Sequence, residues 1–170
     1  MTLGQRVPVQ KWHRITEMFE KIPAPLLLLL ARLGMAGIFW RSGMTKITID
    51  ADVSNFSLQQ MWAVASLNWS VSDFTYILFE NDYALPFLAP RIAAHLALLA
   101  ELTLPVLLAL GLFTRLSALA MLGMTLVIQL FVFPYLWPDH SLWAAALLLL
   151  VAKGAGCWSL DFLVVKGLKC

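Results

Sequence analysis

The stretch "HLALLAELTLPVLLALG", residues 95–111, has the length and apolarity of a membrane span but carries one acidic side chain, Glu101. As an α-helix with a rise of about 1.5 Å per residue, it crosses most of the roughly 30 Å of hydrocarbon in a bilayer. A charge within hydrocarbon costs at least about 2.5–3.5 kcal/mol on insertion scales, so Glu101 needs a partner inside the protein. The stretch therefore predicts a membrane bundle whose interior contains a charge pair.

The composition of the whole chain supports a membrane protein. Of its 170 residues, 61% are hydrophobic and 13% are charged, whereas about a quarter of a soluble domain is charged. The net charge of +2 is too small to indicate nucleic-acid binding, and the basic residues do not form one stripe along the chain. We therefore predict contact with the lipid bilayer and no nucleic-acid partner.

Apolar runs near residues 24–43, 90–111, 115–134 and 140–157 are each long enough for a transmembrane helix. They predict a single domain, residues 1–170, folded as an all-α four-transmembrane-helix bundle. The loop of residues 44–89 is predicted to contain short amphipathic helices, because "MWAVASLNW" and "SDFTYILFENDYALPFLAP" place apolar residues at helical spacing. These helices either cross the mouth of the bundle or rest in the headgroup region.

Lysine and arginine residues are concentrated near the two chain ends and in the connection after the second span. By the positive-inside rule, this asymmetry predicts that the N- and C-termini are cytoplasmic and that the loop of residues 44–89 is periplasmic. The residues concerned are Arg6, Lys11, Arg14, Lys21, Arg115, Lys153, Lys166 and Lys169.

A second intramembrane charge, Arg32, lies in the first predicted span. Counted from the span ends, Arg32 is about 12 Å from one membrane edge and Glu101 about 16 Å from the other. Both then lie near the midplane, which predicts that they pair with each other. The pair is either a structural clamp or part of a functional site, since intramembrane charges serve both purposes.

Further polar side chains near the outward ends of the spans predict a funnel for a ligand or for protons. His95 is alternatively a hydrogen-bond partner between helices, and Trp143 is alternatively an interfacial aromatic residue. The histidines and the glutamate lack the i, i+3 or i, i+4 spacing of a bundle metal site, so no metal site is predicted. The candidates for ligand binding or proton relay are Arg32, Arg41, Lys46, His95, Glu101, Gln129, His140 and Trp143.

Three motifs, in order along the chain, resemble the DoxX family of small bacterial membrane proteins. They are "RLGMAGIFWRSGMTKI", "AELTLPVLLALGLFTRLSALAMLGM" and "HSLWAAALLLLVAKGAGCWSLD". The residues that carry the resemblance are Arg32, Leu33, Ala36, Phe39, Ser42, Gly43, Lys46, Glu101, Gly111, Leu112, Thr114, Arg115, His140, Trp143, Gly154, Gly156 and Asp161.

The resemblance implies a multi-pass protein of the bacterial inner membrane that is a subunit or partner of an oxidoreductase system. That system would perform quinone-linked electron transfer or a redox or metal-stress response, with quinone as the candidate cofactor and another protein of the redox complex as partner. The alternatives are a non-catalytic membrane anchor or assembly factor, or a transporter of a small molecule or metal. A transporter with four spans would need to form a homo-oligomer.

Overall fold

The computed structural model describes residues 12, 17, 19–48, 58–66 and 69–164. Among the basic residues behind the predicted orientation, Arg6, Lys11, Arg14, Lys166 and Lys169 lie outside this part of the chain. The helices are α1 (Ala24–Met44), α2 (Leu58–Ala65), α3 (Asp73–Leu78), α4 (Pro90–Leu110), α5 (Thr114–Val127), α6 (Trp137–Lys153) and α7 (Leu160–Val164).

Four of the described helices, α1, α4, α5 and α6, are long and apolar enough to cross a membrane once the turns that extend α5 and α6 are included. The predicted fold, an all-α membrane protein with four transmembrane helices, is confirmed. The α6 helix begins at Trp137, where the predicted span begins at 140, and ends at Lys153, where the span ends at 157. The earlier end coincides with Gly154, whose positive φ of 78° departs from helical geometry.

The two predicted loop helices are present as α2 and α3, and a short antiparallel sheet attaches the loop to the end of α1. Strand β1 (Ile47–Thr48) pairs with strand β2 (Ser70–Val71). Beside this sheet, the hydroxyl of Thr75 donates a hydrogen bond of 2.9 Å to the backbone carbonyl of Lys46. The loop therefore fixes the backbone of Lys46 just beyond the end of α1.

Two π-helical turns lie where the loop meets the bundle. Phe79–Tyr83 continues α3, and Ile128–Val132 continues α5. The rings of Tyr83 and Phe133 are 5.7 Å apart and bring the two turns into contact. The i→i+5 bonding of a π-turn widens the helix and changes the direction of its side chains, and such turns are frequent at functional sites.

The register between α1 and α4 determines which polar residues meet inside the bundle. Ser42 donates a hydrogen bond to Glu101, and the guanidinium of Arg32 lies against Gly111. Arg32 and Ser42 are ten positions apart, and Glu101 and Gly111 are also ten positions apart. Arg32 therefore lies about 15 Å along the helix from the level of Glu101.

The predicted pairing of Arg32 with Glu101 is therefore wrong. It assumed that both spans are centred on the same membrane midplane, whereas the two helices are offset along their axes by about ten residues. As a result, Glu101 lies opposite the end of α1 and pairs with Lys46.

Candidate functional site

A cavity of about 510 Å³ lies between α1, α4, α5 and α6 at the end of the bundle that carries the loop. Its size falls within the range of about 300–1,000 Å³ that is typical of ligand pockets. Most of its lining is aliphatic or aromatic. Its polar lining side chains are those of Ser42, Lys46, Tyr83, Glu101 and His140.

The strongest charges in the cavity wall are Lys46 and Glu101, both buried. The Lys46 ammonium nitrogen is 2.9 Å from Oε1 and 2.7 Å from Oε2 of the carboxylate. Only the Oε1 contact has hydrogen-bond geometry, so among the described residues Oε2 has no hydrogen-bond donor. The pair is thus charge-compensated, while one carboxylate oxygen retains its capacity to accept a hydrogen bond.

Ser42 joins this pair from α1 and completes a three-residue polar cluster. Its hydroxyl donates a 3.0 Å hydrogen bond to Oε1 of Glu101 and accepts a 2.9 Å bond from Lys46. Ser42 and Lys46 are four positions apart, so they lie on the same face of a helical turn. Ser42, Lys46 and Glu101 are called the lysine cluster below.

Two backbone features help α1 and α4 meet at the lysine cluster. A Cβ added at Gly43 would lie 3.1 Å from the Cβ of Glu101, so glycine permits this close approach of the two helices. Pro105, four positions after Glu101 inside α4, has no N–H to donate to the Glu101 carbonyl. The helical hydrogen-bond pattern is therefore interrupted beside the charged residue.

His140 approaches the cavity from the first turns of α6 and is 3% exposed. Its Nδ1 is 2.6 Å from the side-chain oxygen of Gln129, whose amide nitrogen donates to the Pro134 carbonyl. Because an amide oxygen only accepts, Nδ1 of His140 carries the proton in this contact. Nε2 is then the ring nitrogen that is left for a ligand. Trp143, the other α6 candidate, packs edge-on to His140 at 4.9 Å and also lines the cavity.

Tyr83 brings a hydroxyl into the cavity wall from the first π-turn. Burial raises the pKa of the Tyr83 phenol above its ordinary value, and the negative charges of Glu101 and Asp82 raise it further. A raised pKa keeps the phenol protonated near neutral pH, so its hydroxyl remains a hydrogen-bond donor. Tyr83 is thus a neutral donor in the wall that also contains a compensated ion pair.

Arg32 lies away from the cavity, at the end of the bundle where α4 and α6 finish. Its guanidinium donates to the backbone carbonyls of Ala155, at 3.2 Å, and Trp158, at 2.7 Å. In the same region, the Asp161 carboxylate accepts hydrogen bonds from the backbone N–H groups of Phe113 and Thr114. Asp161 therefore caps the start of α5, and Arg32 fixes the segment after α6. Arg32 and Asp161 are called the arginine cluster below.

Two other predicted members of the polar funnel are also outside the cavity lining. Arg41 is exposed on α1. His95 is exposed on α4, where its ring nitrogens face the Arg91 carbonyl at 2.7 Å and the Tyr76 hydroxyl at 3.3 Å. The helical positions of these residues direct them away from the interior, which depth along a span does not reveal. Gln129 does not line the cavity but positions His140.

Sequence reasoning missed Ser42, Tyr83 and the ring of Phe133 as cavity residues. The i, i+4 spacing of Ser42 and Lys46 was a usable signal for the first of these. For Tyr83 and Phe133 no comparable signal existed, because a π-turn changes the direction of side chains without a distinctive sequence pattern.

In the described part of the chain, no group of three or more His, Cys, Asp or Glu residues could hold a metal ion.

Comparison with known proteins adds one finding. The family model described as DoxX matches residues 27–134, which is more than half of the chain and includes two of the four described spans and most of a third. No curated protein and no solved structure matches the sequence.

Proposed function

The chain belongs to the DoxX family, and on that premise we propose that it is the membrane subunit or partner of an oxidoreductase system whose cavity binds a quinone head group. The observation that carries this proposal is a buried ion pair in the wall of an otherwise apolar, aromatic cavity. Buried pairs are weak contributors to stability, because desolvation offsets their attraction. Their position on a cavity wall favours a role in ligand binding.

A quinone ring matches the chemistry of this cavity. Its flat apolar body fits against aromatic side chains such as Phe39 and Trp143, whose rings pack edge-to-face at 6.1 Å, and its two carbonyl oxygens need hydrogen-bond donors. Lys46 lies on the α1 side of the cavity, and the Tyr83 hydroxyl lies on the π-turn that continues α3. Donors are therefore available on different walls, as a ring with two separated carbonyls requires. Nε2 of His140 on α6 is an acceptor, which matches the hydroxyl of a quinol.

The same residues suit the proton balance of quinone reduction. Conversion of a quinone to a quinol takes up two electrons and two protons; in this proposal the electrons come from the cofactor of the partner enzyme. Lys46 and Tyr83 carry exchangeable protons in the cavity wall, and Nε2 of His140 can accept a hydrogen bond from the quinol that is formed. Their role in this proposal is to bind the ring and to hold the protons that it takes up.

A second candidate function, membrane anchoring or assembly of a partner, is favoured by the exposed apolar residues of the loop. Trp62, Phe74 and Ile77 are 75%, 64% and 55% exposed, respectively. Such residues fit either the lipid headgroup region or a partner surface.

The transporter alternative would use the cavity as half of an access path for a small molecule or metal ion, with a homo-oligomer supplying the rest.

For localisation we propose the bacterial inner membrane, with cytoplasmic termini and the cavity end of the bundle facing the periplasm. Lys21, Arg115 and Lys153 lie at the opposite end of the bundle, which fits the positive-inside rule. Cysteine substitutions at the exposed residues Trp62 and Val164 test this orientation in whole cells. A membrane-impermeant maleimide should label the first and spare the second; the reverse pattern overturns the topology.

The proposed function is tested by calorimetric titration of the purified protein with tetramethylbenzoquinone, which has no free ring position and so does not alkylate Lys46. We expect saturable binding that Tyr83→Phe weakens by about tenfold, the equivalent of one hydrogen bond of about 1.4 kcal/mol. Tyr76→Phe is the matched control because Tyr76 lies outside the cavity, and the affinity of this variant should equal that of the wild type. Absence of saturable binding to the wild type overturns the proposal.

A further inference from the structure

We propose that the ligand reaches the cavity sideways from the bilayer, through an opening between α4 and α5, and that it is a ring compound whose apolar tail occupies this opening. The proposal rests on the proposed function for the identity of the ring. It adds the route of entry and the requirement for a tail.

The opening is identified by residues that line the cavity and are also exposed on the outside of the bundle. Leu96 on α4 lines the cavity and is 53% exposed. Gly123 on α5 lines it as well and is exposed, and a Cβ added there would meet no atom within 4 Å. Phe87, just before α4, also lines the cavity and is 61% exposed. These exposed lining residues lie on the facing sides of α4 and α5, and we take the space between them as the opening.

Aromatic rings cover the cavity at the loop end. The rings of Phe79 and Tyr83 are 4.9 Å apart, those of Tyr83 and Phe133 5.7 Å, and those of Phe133 and Tyr135 5.9 Å. All three pairs have the edge-to-face geometry that aromatic rings prefer. This chain of rings joins the two π-turns over the cavity, and the rings of Phe87 and Phe131, 5.4 Å apart, form the loop-end border of the opening between α4 and α5.

The polarity of the cavity also changes from the inside to the opening. The lysine cluster lies where α1 meets α4, whereas the opening is bordered by Leu96, Ala100, Gly123 and Val127. A ligand that matches both the polar inner end of the cavity and its apolar opening has a hydrogen-bonding head and an apolar tail. The tail would remain in contact with lipid, because the opening faces the hydrocarbon of the bilayer. A water-soluble substrate would have to cross that hydrocarbon to enter.

The test uses Gly123→Phe, which fills the opening from α5 without altering the lysine cluster. Gly34→Phe is the matched control, because Gly34 is also a helical glycine with open space at its Cβ but does not line the cavity. Each protein, in lipid nanodiscs, is titrated to equilibrium with tetramethylbenzoquinone and with a trimethylbenzoquinone that carries a decyl chain. Gly123→Phe should weaken binding of the decyl compound by about tenfold or more. It should leave the affinity for the tail-free ring unchanged, and Gly34→Phe should change neither.

Leu96→Trp, which narrows the opening from α4, is the second variant and should have the same selective effect if Gly123→Phe does not fold. Wild-type affinity of the folded variants for the decyl compound overturns the sideways opening and leaves the proposed function intact. Failure of the wild type to bind the tail-free ring instead overturns the proposed function, and the identity of the ligand head with it.

Discussion

Two buried basic residues, Arg32 near the middle of α1 and Lys46 just beyond its end, have different kinds of partner. Arg32 donates to the backbone carbonyls of Ala155 and Trp158, which belong to the chain immediately after α6. Lys46 binds the side chains of Ser42 and Glu101 in the wall of a cavity. Backbone carbonyls have fixed positions, so the arginine fastens one segment to another. Cavity-lining side chains can form new hydrogen bonds with a ligand.

Gly111 illustrates how completely the arginine cluster is filled. Its φ is +68°, and a Cβ added there would overlap the Arg32 guanidinium. The residues of the "GLFTR" turn thus serve packing and capping around Arg32 and Asp161. The lysine cluster, by contrast, borders a cavity of about 510 Å³. The residues that resemble the DoxX family belong to both clusters. In the structure, the arginine cluster holds segments of the fold together, whereas the lysine cluster borders a candidate ligand site.

The largest effect on stability is expected when one member of the Lys46–Glu101 pair is removed. Lys46→Leu or Glu101→Leu leaves a buried charge without its partner and should lower the free energy of unfolding by about 3–5 kcal/mol. The double variant should be much closer to the wild type, because both charges are gone. Unfolding in mixed detergent measures the double-mutant cycle, and additive single effects would contradict the pairing.

Arg32→Leu should have the next largest effect. It removes the donor to two backbone carbonyls, and each unsatisfied buried group costs about 1–3 kcal/mol. Arg41→Leu is the control, because Arg41 is exposed on the same helix. Thermal unfolding should show a loss for Arg32→Leu alone, while the affinity of the folded protein for tetramethylbenzoquinone is unchanged. A stable Arg32→Leu protein that no longer binds would place function in the arginine cluster instead.

Asp161→Ala should lower the free energy of unfolding by about 1–2 kcal/mol, because the first N–H groups of α5 lose their capping carboxylate. Asp139→Ala changes an exposed acidic residue in the first turn of α6, where the carboxylate interacts mainly with the helix dipole. The same thermal measurement should show a smaller loss for this control. Equal losses would contradict the capping role of Asp161.

The smallest effect on stability, but a visible effect on binding, is expected for Gln129→Leu. This change removes the oxygen that holds Nδ1 of His140 and should weaken binding of the quinol form, tetramethylhydroquinone, about threefold to tenfold, because the orientation of the acceptor Nε2 is lost. Ser141→Ala, at an exposed neighbour of His140 on α6, should leave the affinity unchanged. Unaltered affinity of the Gln129 variant would show that His140 needs no positioning residue.

The sequence predicted the fold and part of the candidate site. Particular residues show why the remaining part could not be predicted. Membrane spans follow from apolar length, which is local, so all four were found. The partner of Glu101 depends on the register between α1 and α4, which is not local. Close contact at Gly43 and the fit of Arg32 against Gly111 accompany that register. Counting from predicted membrane edges therefore gave the wrong partner.

The direction of side chains was the second source of error. Arg41 and His95 have suitable depth and chemistry, yet both are exposed on the outside of the bundle. Lys46, Glu101, His140 and Trp143 were predicted members of the site and do line the cavity. Tyr83 reaches it through a π-turn, whose effect on side-chain direction the sequence pattern does not encode.

The central claim is that the lysine cluster binds the ligand and the arginine cluster supports the fold. Titration of the Lys46→Leu/Glu101→Leu double variant with tetramethylbenzoquinone tests this most directly, with Asp161→Ala measured in parallel. Near-wild-type unfolding of the double variant, combined with loss of binding by about tenfold or more, is the predicted result, and Asp161→Ala should retain wild-type affinity. Wild-type affinity in the folded double variant would contradict the claim.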